Sequence, residues 1–123
     1  MKVLIADDDL YNRKLLSDAL TLAGCQVVLA ETGKQAIDLA TQEKPDLILM
    51  DHTMPEMLGY DAVKEIRKDP NLQRVPVVMI TGNFEVQAHA EDDKMEYCAF
   101  LPKPYSLEQL MTTIGLALGK PFP

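Results

Sequence analysis

The sequence predicts an α/β chain, a doubly wound parallel sheet covered by helices on both faces. Two observations carry this. Five short apolar runs alternate with segments of helical period, in the order β-α-β-α-β-α-β-α-β, which favours parallel pairing through helical crossovers. One run, Leu47-Ile48-Leu49-Met50, is apolar without alternation. That is the pattern of a strand buried on both faces.

Strands are expected at Lys2–Ala6, Gln26–Ala30, Leu47–Met50, Val75–Ile80 and Cys98–Leu101. Pro76 falls at a strand start, where a missing N–H is tolerated. Five helices fit between and after them. Leu16, Ala19, Leu20 and Ala23 form the stripe of the first, which Gly24 stops. Thr32 and Gln35 read as a capping box opening the second, with Ile37 and Ala40 inward. Ala62, Val63 and Ile66 mark the third. The fourth, around Glu85–Lys94, is weakly patterned, and its acidic run 91–93 reads as a solvated face. Ser106 and Gln109 cap the fifth, with Leu107, Leu110, Met111, Ile114 and Leu118 as its buried face.

A chain of 123 residues fits one domain, since domains commonly run to about 100–150 residues. The expected boundaries are 1–119 for the domain and 120–123 for a short tail. Net charge is −7 and 47% of residues are hydrophobic, which speaks against nonspecific binding to nucleic acid or to an anionic membrane. The longest early apolar run, Val3 to Ala6, is too short for a leader core or a membrane span. A cytoplasmic location is expected. Cys25 and Cys98 are expected to be buried, reduced thiols.

In doubly wound folds, ligands sit beyond the carboxyl ends of the strands. That rule gathers Asp7 and Asp8 after the first strand, Asp51 after the third, Thr81 after the fourth and Lys103 after the fifth. Two unit charges 4 Å apart repel by about 4 kcal/mol at an effective dielectric near 20. A bound cation or a raised pKa must offset this. Carboxylate oxygens suit magnesium, with manganese as a substitute, whereas zinc wants His or Cys. Beside a metal and a lysine, Asp51 is a candidate nucleophile toward phosphorus. Asp9 is expected to face solvent or cap the next helix, and His52 to lie at the surface or in packing rather than on a metal.

These residues resemble the receiver domain of two-component response regulators over nearly the whole chain. The match rests on Asp7-Asp8 after VLIA, Asp51 with the Met54-Pro55 turn and Gly59, Thr81-Gly82 after VVMI, Phe100, and Lys103-Pro104. The resemblance implies a flavodoxin-like, three-layer fold with strand order 2-1-3-4-5. It implies that Asp51 accepts a phosphoryl group from a histidine kinase, a phosphotransfer protein or a small acyl phosphate. Asp8, Asp51 and the Thr53 carbonyl would ligate magnesium, with Asp7 acting through a water. Lys103 would pair with the phosphoryl group, across a cis Lys103–Pro104 bond. Thr81 and Phe100 would form the switch, biasing the surface of the fourth helix, fifth strand and fifth helix toward a downstream protein. Thr53 and Asn83 would tune dephosphorylation. The chain would act as a monomer or a phosphorylation-dependent dimer, as a diffusible regulator or a receiver cut from a hybrid kinase. Leu58, Met95-Glu96-Tyr97 and Pro102 depart from the family pattern.

Three rivals share parts of this pattern. Asp7-Asp8-Asp9 also resembles the opening motif of haloacid-dehalogenase-type phosphohydrolases, in which Asp7 would be the nucleophile. Tyr11 and the lack of a later acidic pair weigh against that reading. A flavodoxin-type cofactor binder would need a phosphate-holding loop where three acids stand. An unphosphorylated adaptor would not need the receiver's full set of chemical residues.

Overall fold

The computed structural model describes residues 1–82 and 96–123. Five parallel strands pair in the order β2-β1-β3-β4-β5: β1 (Lys2–Ala6), β2 (Gln26–Ala30), β3 (Leu47–Asp51), β4 (Val77–Thr81) and β5 (Cys98–Pro102). Four helices lie among the described residues: α1 (Leu10–Leu22), α2 (Gly33–Glu43), α3 (Gly59–Ile66) and α4 (Leu107–Leu118). A short 3-10 turn covers Pro70–Leu72. The predicted helix around Glu85–Lys94 lies outside the described residues, as do Asn83, His89 and Met95. None of the described helices is long and apolar enough to cross a membrane.

Side chains alternate across the sheet, so each strand feeds two cores. Leu4, Ala6, Ile48, Met50, Val77 and Met79 face α2 and α3, meeting Ala36, Ala40, Ala62, Val63 and Ile66. Val3, Ile5, Leu47, Leu49, Val78 and Ile80 face α1 and α4, meeting Leu16, Leu20, Leu110 and Ile114. Every residue of β3 and β4 is buried, as the unbroken apolar run of β3 anticipates. Alanines at 36, 40 and 62, all fully buried, let α2 and α3 approach the sheet closely.

Several ends differ from expectation. The fourth strand starts at Val77 rather than Val75. Pro76 has no N–H to offer, and its carbonyl instead accepts from the Ile48 N–H at 3.0 Å. The third and fifth strands each run one residue further, to Asp51 and Pro102. Thr32 caps α2 by accepting from the Gln35 N–H, but Gln35 returns its side chain to the Glu31 N–H, one residue early. The reciprocal capping box is complete only at Ser106 and Gln109. Leu107 is 60% exposed, contrary to its predicted burial. Helical side chains lean toward the helix N-terminus, so that of the first residue overhangs the end.

Candidate phosphoacceptor site

The order 2-1-3 makes β1 and β3 neighbours, while the chain leaves them toward opposite faces. A crevice opens where strand order reverses. Asp7 and Asp8 stand at the β1 side of it, and Asp51 at the tip of β3. One ligand oxygen from each of the three lies within 4.8 Å of the others. Asp7 and Asp51 are each 3% exposed, whereas Asp8 reaches solvent. Every donor in the cluster is a carboxylate oxygen, so the set fits a hard dication such as magnesium and offers nothing to a thiophilic metal.

Lys103 enters from β5's far end. Its Nζ donates to Asp51 Oδ1 at 2.6 Å, and its backbone N–H is held by the Thr81 carbonyl at 3.1 Å. The Lys103–Pro104 peptide bond is cis. Burial pushes the Asp51 carboxyl above the ordinary range, against the pull of Lys103. Burial also lifts Asp7, reinforced by Asp51 and Asp8 and opposed by the Asp9 N–H and Lys103. For Lys103, burial lowers the affinity for its proton, but the bond to Asp51 prevails and the net shift is upward. Tyr105 is half-buried nearby. Burial raises its phenol, with help from the charges of Asp7 and Asp51. The carboxyls of Asp7 and Asp51 are thus raised, with burial the larger cause and their acidic neighbours the smaller, and the oxygen cluster is one that a cation would suit.

The loop after Asp51 is tightly built. A Cβ on Gly59 would lie 2.5 Å from the Asp51 carbonyl oxygen and 2.9 Å from His52 Cα. Only glycine permits this approach, which the Gly59 N–H uses to reach the His52 carbonyl at 2.8 Å. His52 is buried and not at the surface. Its Nδ1 accepts from the Tyr60 N–H at 3.3 Å, standing in for the cap that Leu58 cannot provide. Met54 is buried, Thr53 is exposed, and Met57 lies against the first residue of α2, Gly33.

The remaining expected residues among those described sit on the same rim or just behind it. Thr81 is buried at the end of β4. Phe100 is half-buried and packs against the cluster containing Met50 and Met79. Asp9 caps α1, its Oδ1 accepting from the Tyr11 N–H at 2.8 Å. Sequence reasoning passed over Arg13. It is buried and donates to the Asp7 carbonyl at 2.7 Å. A signal was present: Arg13 shares the helical stripe of Leu16 and Leu20, a charge on an apolar face.

Comparison with known proteins follows the same line. The response regulator receiver domain family matches residues 3–115. The polar-differentiation response regulator DivK of Brucella anthropi is 34% identical over 118 residues, covering 95% of each chain. Among solved structures, the chemotaxis protein CheY4 of Vibrio cholerae superposes with a TM-score of 0.86 at 31% identity, covering 95% of this chain and 98% of that one. The receiver domain of the sensor histidine kinase PA1611 of Pseudomonas aeruginosa, with a magnesium ion coordinated in its active-site cleft, gives a TM-score of 0.82 at 30% identity, covering 97% and 98%.

Proposed function

This chain belongs to the response regulator receiver domain family, a phosphoacceptor signalling domain rather than a turnover enzyme, and we propose that Asp51 is the residue that carries the phosphoryl group. The observation that supports this most is the placement of Asp51. It lies buried at the tip of a central strand, paired with Lys103 at 2.6 Å and clustered with two further acids.

An Asp51 carboxylate oxygen attacks phosphorus on a histidine kinase's or phosphotransfer protein's phosphohistidine. The P–N bond breaks, its electron pair leaves with the imidazole, and an acyl phosphate remains on Asp51. Lys103 follows the charge from the carboxylate to the phosphoryl oxygens, which a flexible ammonium on a four-carbon stem allows. Asp8, Asp51 and the Thr53 carbonyl would hold magnesium, with Asp7 assisting through a water. When bound, the ion offsets the carboxylate repulsion and stabilises charge on the transferring phosphoryl group. Support comes from the oxygen-only donor set and from the related receiver that coordinates magnesium in its cleft.

Thr81 and Phe100 would carry the signal outward. The Thr81 hydroxyl turns to a phosphoryl oxygen, and Phe100 fills the space it leaves. This biases the surface around β5 and α4, together with the segment preceding β5, toward a downstream protein. Thr53 and Asn83 would set the lifetime of the acyl phosphate by governing access of water. We place the protein in the cytoplasm, where its kinase would meet it.

Labelling with acetyl phosphate, with and without magnesium, tests the assignment. Wild type should label only with the metal, and Asp51→Asn should abolish labelling. Mass spectrometry should find the phosphoryl group on Asp51. Finding it on Asp7, with turnover of a generic phosphate ester, would instead establish the phosphohydrolase reading.

A further inference from the structure

We propose that Arg13 is a positioning residue for the acid cluster: its guanidinium clamps the Asp7 carbonyl, fixes the peptide from which Asp8 departs, and thereby sets the affinity for the dication. The inference rests on the reading of Asp7, Asp8 and Asp51 as the metal-holding acids.

Burying a guanidinium is unfavourable unless its hydrogen bonds are met, yet Arg13 is only 7% exposed. Its ion pair does not account for this. The partner, Glu31, has a side chain 68% exposed and lies 3.3 Å from Nη2, and pairs open to water contribute little. The shorter contact, 2.7 Å from Nη1, is to the Asp7 carbonyl. Charge-assisted bonds of this kind are the stronger class.

That contact completes a set of three on one residue. The Asp7 N–H donates to the Ala30 carbonyl at 3.1 Å. The Asp7 carboxylate Oδ1 accepts from the Asp9 N–H at 2.9 Å. The Asp7 carbonyl accepts from Arg13. The peptide unit is planar and trans, so fixing the Asp7 oxygen also fixes the Asp8 N–H and Cα, the base from which the Asp8 side chain leaves. Asp8 is exposed and depends on its backbone for aim. Removing Arg13 strands a buried carbonyl, which regains a partner only by turning the peptide or admitting water. Either change moves Asp8 relative to Asp51.

The test is a calorimetric titration of the full chain with magnesium chloride, for wild type and the Arg13→Lys, Arg13→Gln, Arg13→Met and Glu31→Gln variants. Folding is checked by near-ultraviolet circular dichroism, and an Arg13→Met that fails to fold leaves the Gln and Lys variants to decide. Loss of a ligand-orienting partner commonly weakens metal binding by about 10–100-fold. Arg13→Gln and Arg13→Met should therefore raise Kd by about tenfold or more. Arg13→Lys should recover part of the loss, and Glu31→Gln should stay within about twofold of wild type. In Arg13→Gln, the magnesium concentration for half-maximal labelling by acetyl phosphate should rise in step with its Kd, which a collapsed site would not show. The proposal is overturned if folded Arg13 variants bind magnesium as wild type does, or if Glu31→Gln weakens binding as much as Arg13→Gln. Absence of magnesium binding and labelling in wild type itself would overturn the underlying reading instead.

Discussion

The two ends of the sheet treat charge in opposite ways. At the amino end, charges meet partners. The Lys2 N–H donates to Asp46 at 2.8 Å, Lys44 pairs with Asp69 at 2.9 Å, and burial depresses the Arg67 guanidinium pKa. Arg67 donates to the carbonyls of Leu72, Val75, Glu96 and Tyr97, tying α3 and the turn after it to the starts of β4 and β5. At the carboxyl end three acids crowd together with Lys103. One end spends its polar groups on stability. The other holds an arrangement that is unfavourable in the metal-free chain and useful for binding, as functional sites commonly do.

Substitutions at the two ends should separate these roles. The largest effect is expected for Gly59→Ala. Its new methyl would meet backbone at 2.5 and 2.9 Å. Urea unfolding should show a loss of about 2–3 kcal/mol, and acetyl phosphate labelling should slow at least tenfold, because the clash is with the Asp51 carbonyl itself. Arg67→Met comes next. The Leu72, Val75 and Glu96 carbonyls lose their donor and that of Tyr97 keeps only the Val77 N–H, which should cost about 2 kcal/mol, with labelling and magnesium affinity unchanged. A drop in labelling there would break the comparison by coupling the two ends.

Asp7→Asn should act in the opposite sense. Burial first, then Asp51 and Asp8, hold the Asp7 carboxyl above its ordinary range. A carboxyl raised on folding binds its proton more tightly in the folded chain. Its contribution to stability is full below the unfolded pKa and is lost as pH rises through the folded value. At neutral pH it therefore destabilises the metal-free protein. Asp7→Asn should raise Tm by a few degrees in chelator, while magnesium should stabilise wild type more than the variant. The smallest effect is expected for Tyr97→Gly. Tyr97 has φ of 59°, a left-handed conformation that disfavours a side chain. Glycine should gain less than about 1 kcal/mol, read as a small rise in urea midpoint.

The carboxyl end was the more legible of the two in sequence. Strand period and the alternation of strands with helices are local signals, and with the rule that ligands sit beyond the strands' carboxyl ends they put Asp7, Asp8, Asp51, Thr81 and Lys103 on one rim, whereas the strand order followed only from the family resemblance. Ser106 and Gln109 announced a capping box because both halves fall within one turn. Arg13 and Arg67 were harder to read. A guanidinium sits at the end of a long stem, so its acceptors depend on how elements pack and not on nearby residues. His52 was similarly opaque: its role as a cap for α3 depends on a fold-back that Gly59 permits. The start of β4 shifted because Pro76 keeps its place beside the sheet through its carbonyl alone.

The pairing of Lys103 with Asp51 spans 52 residues of chain and bridges the ends of β3 and β5, which β4 separates in the assembled sheet. Closing that span carries an entropic cost that the assembled sheet must offset. A copy in which β3 and β5 are not both seated on the sheet therefore lacks the Lys103–Asp51 pair, and with it the ammonium beside the candidate phosphoacceptor.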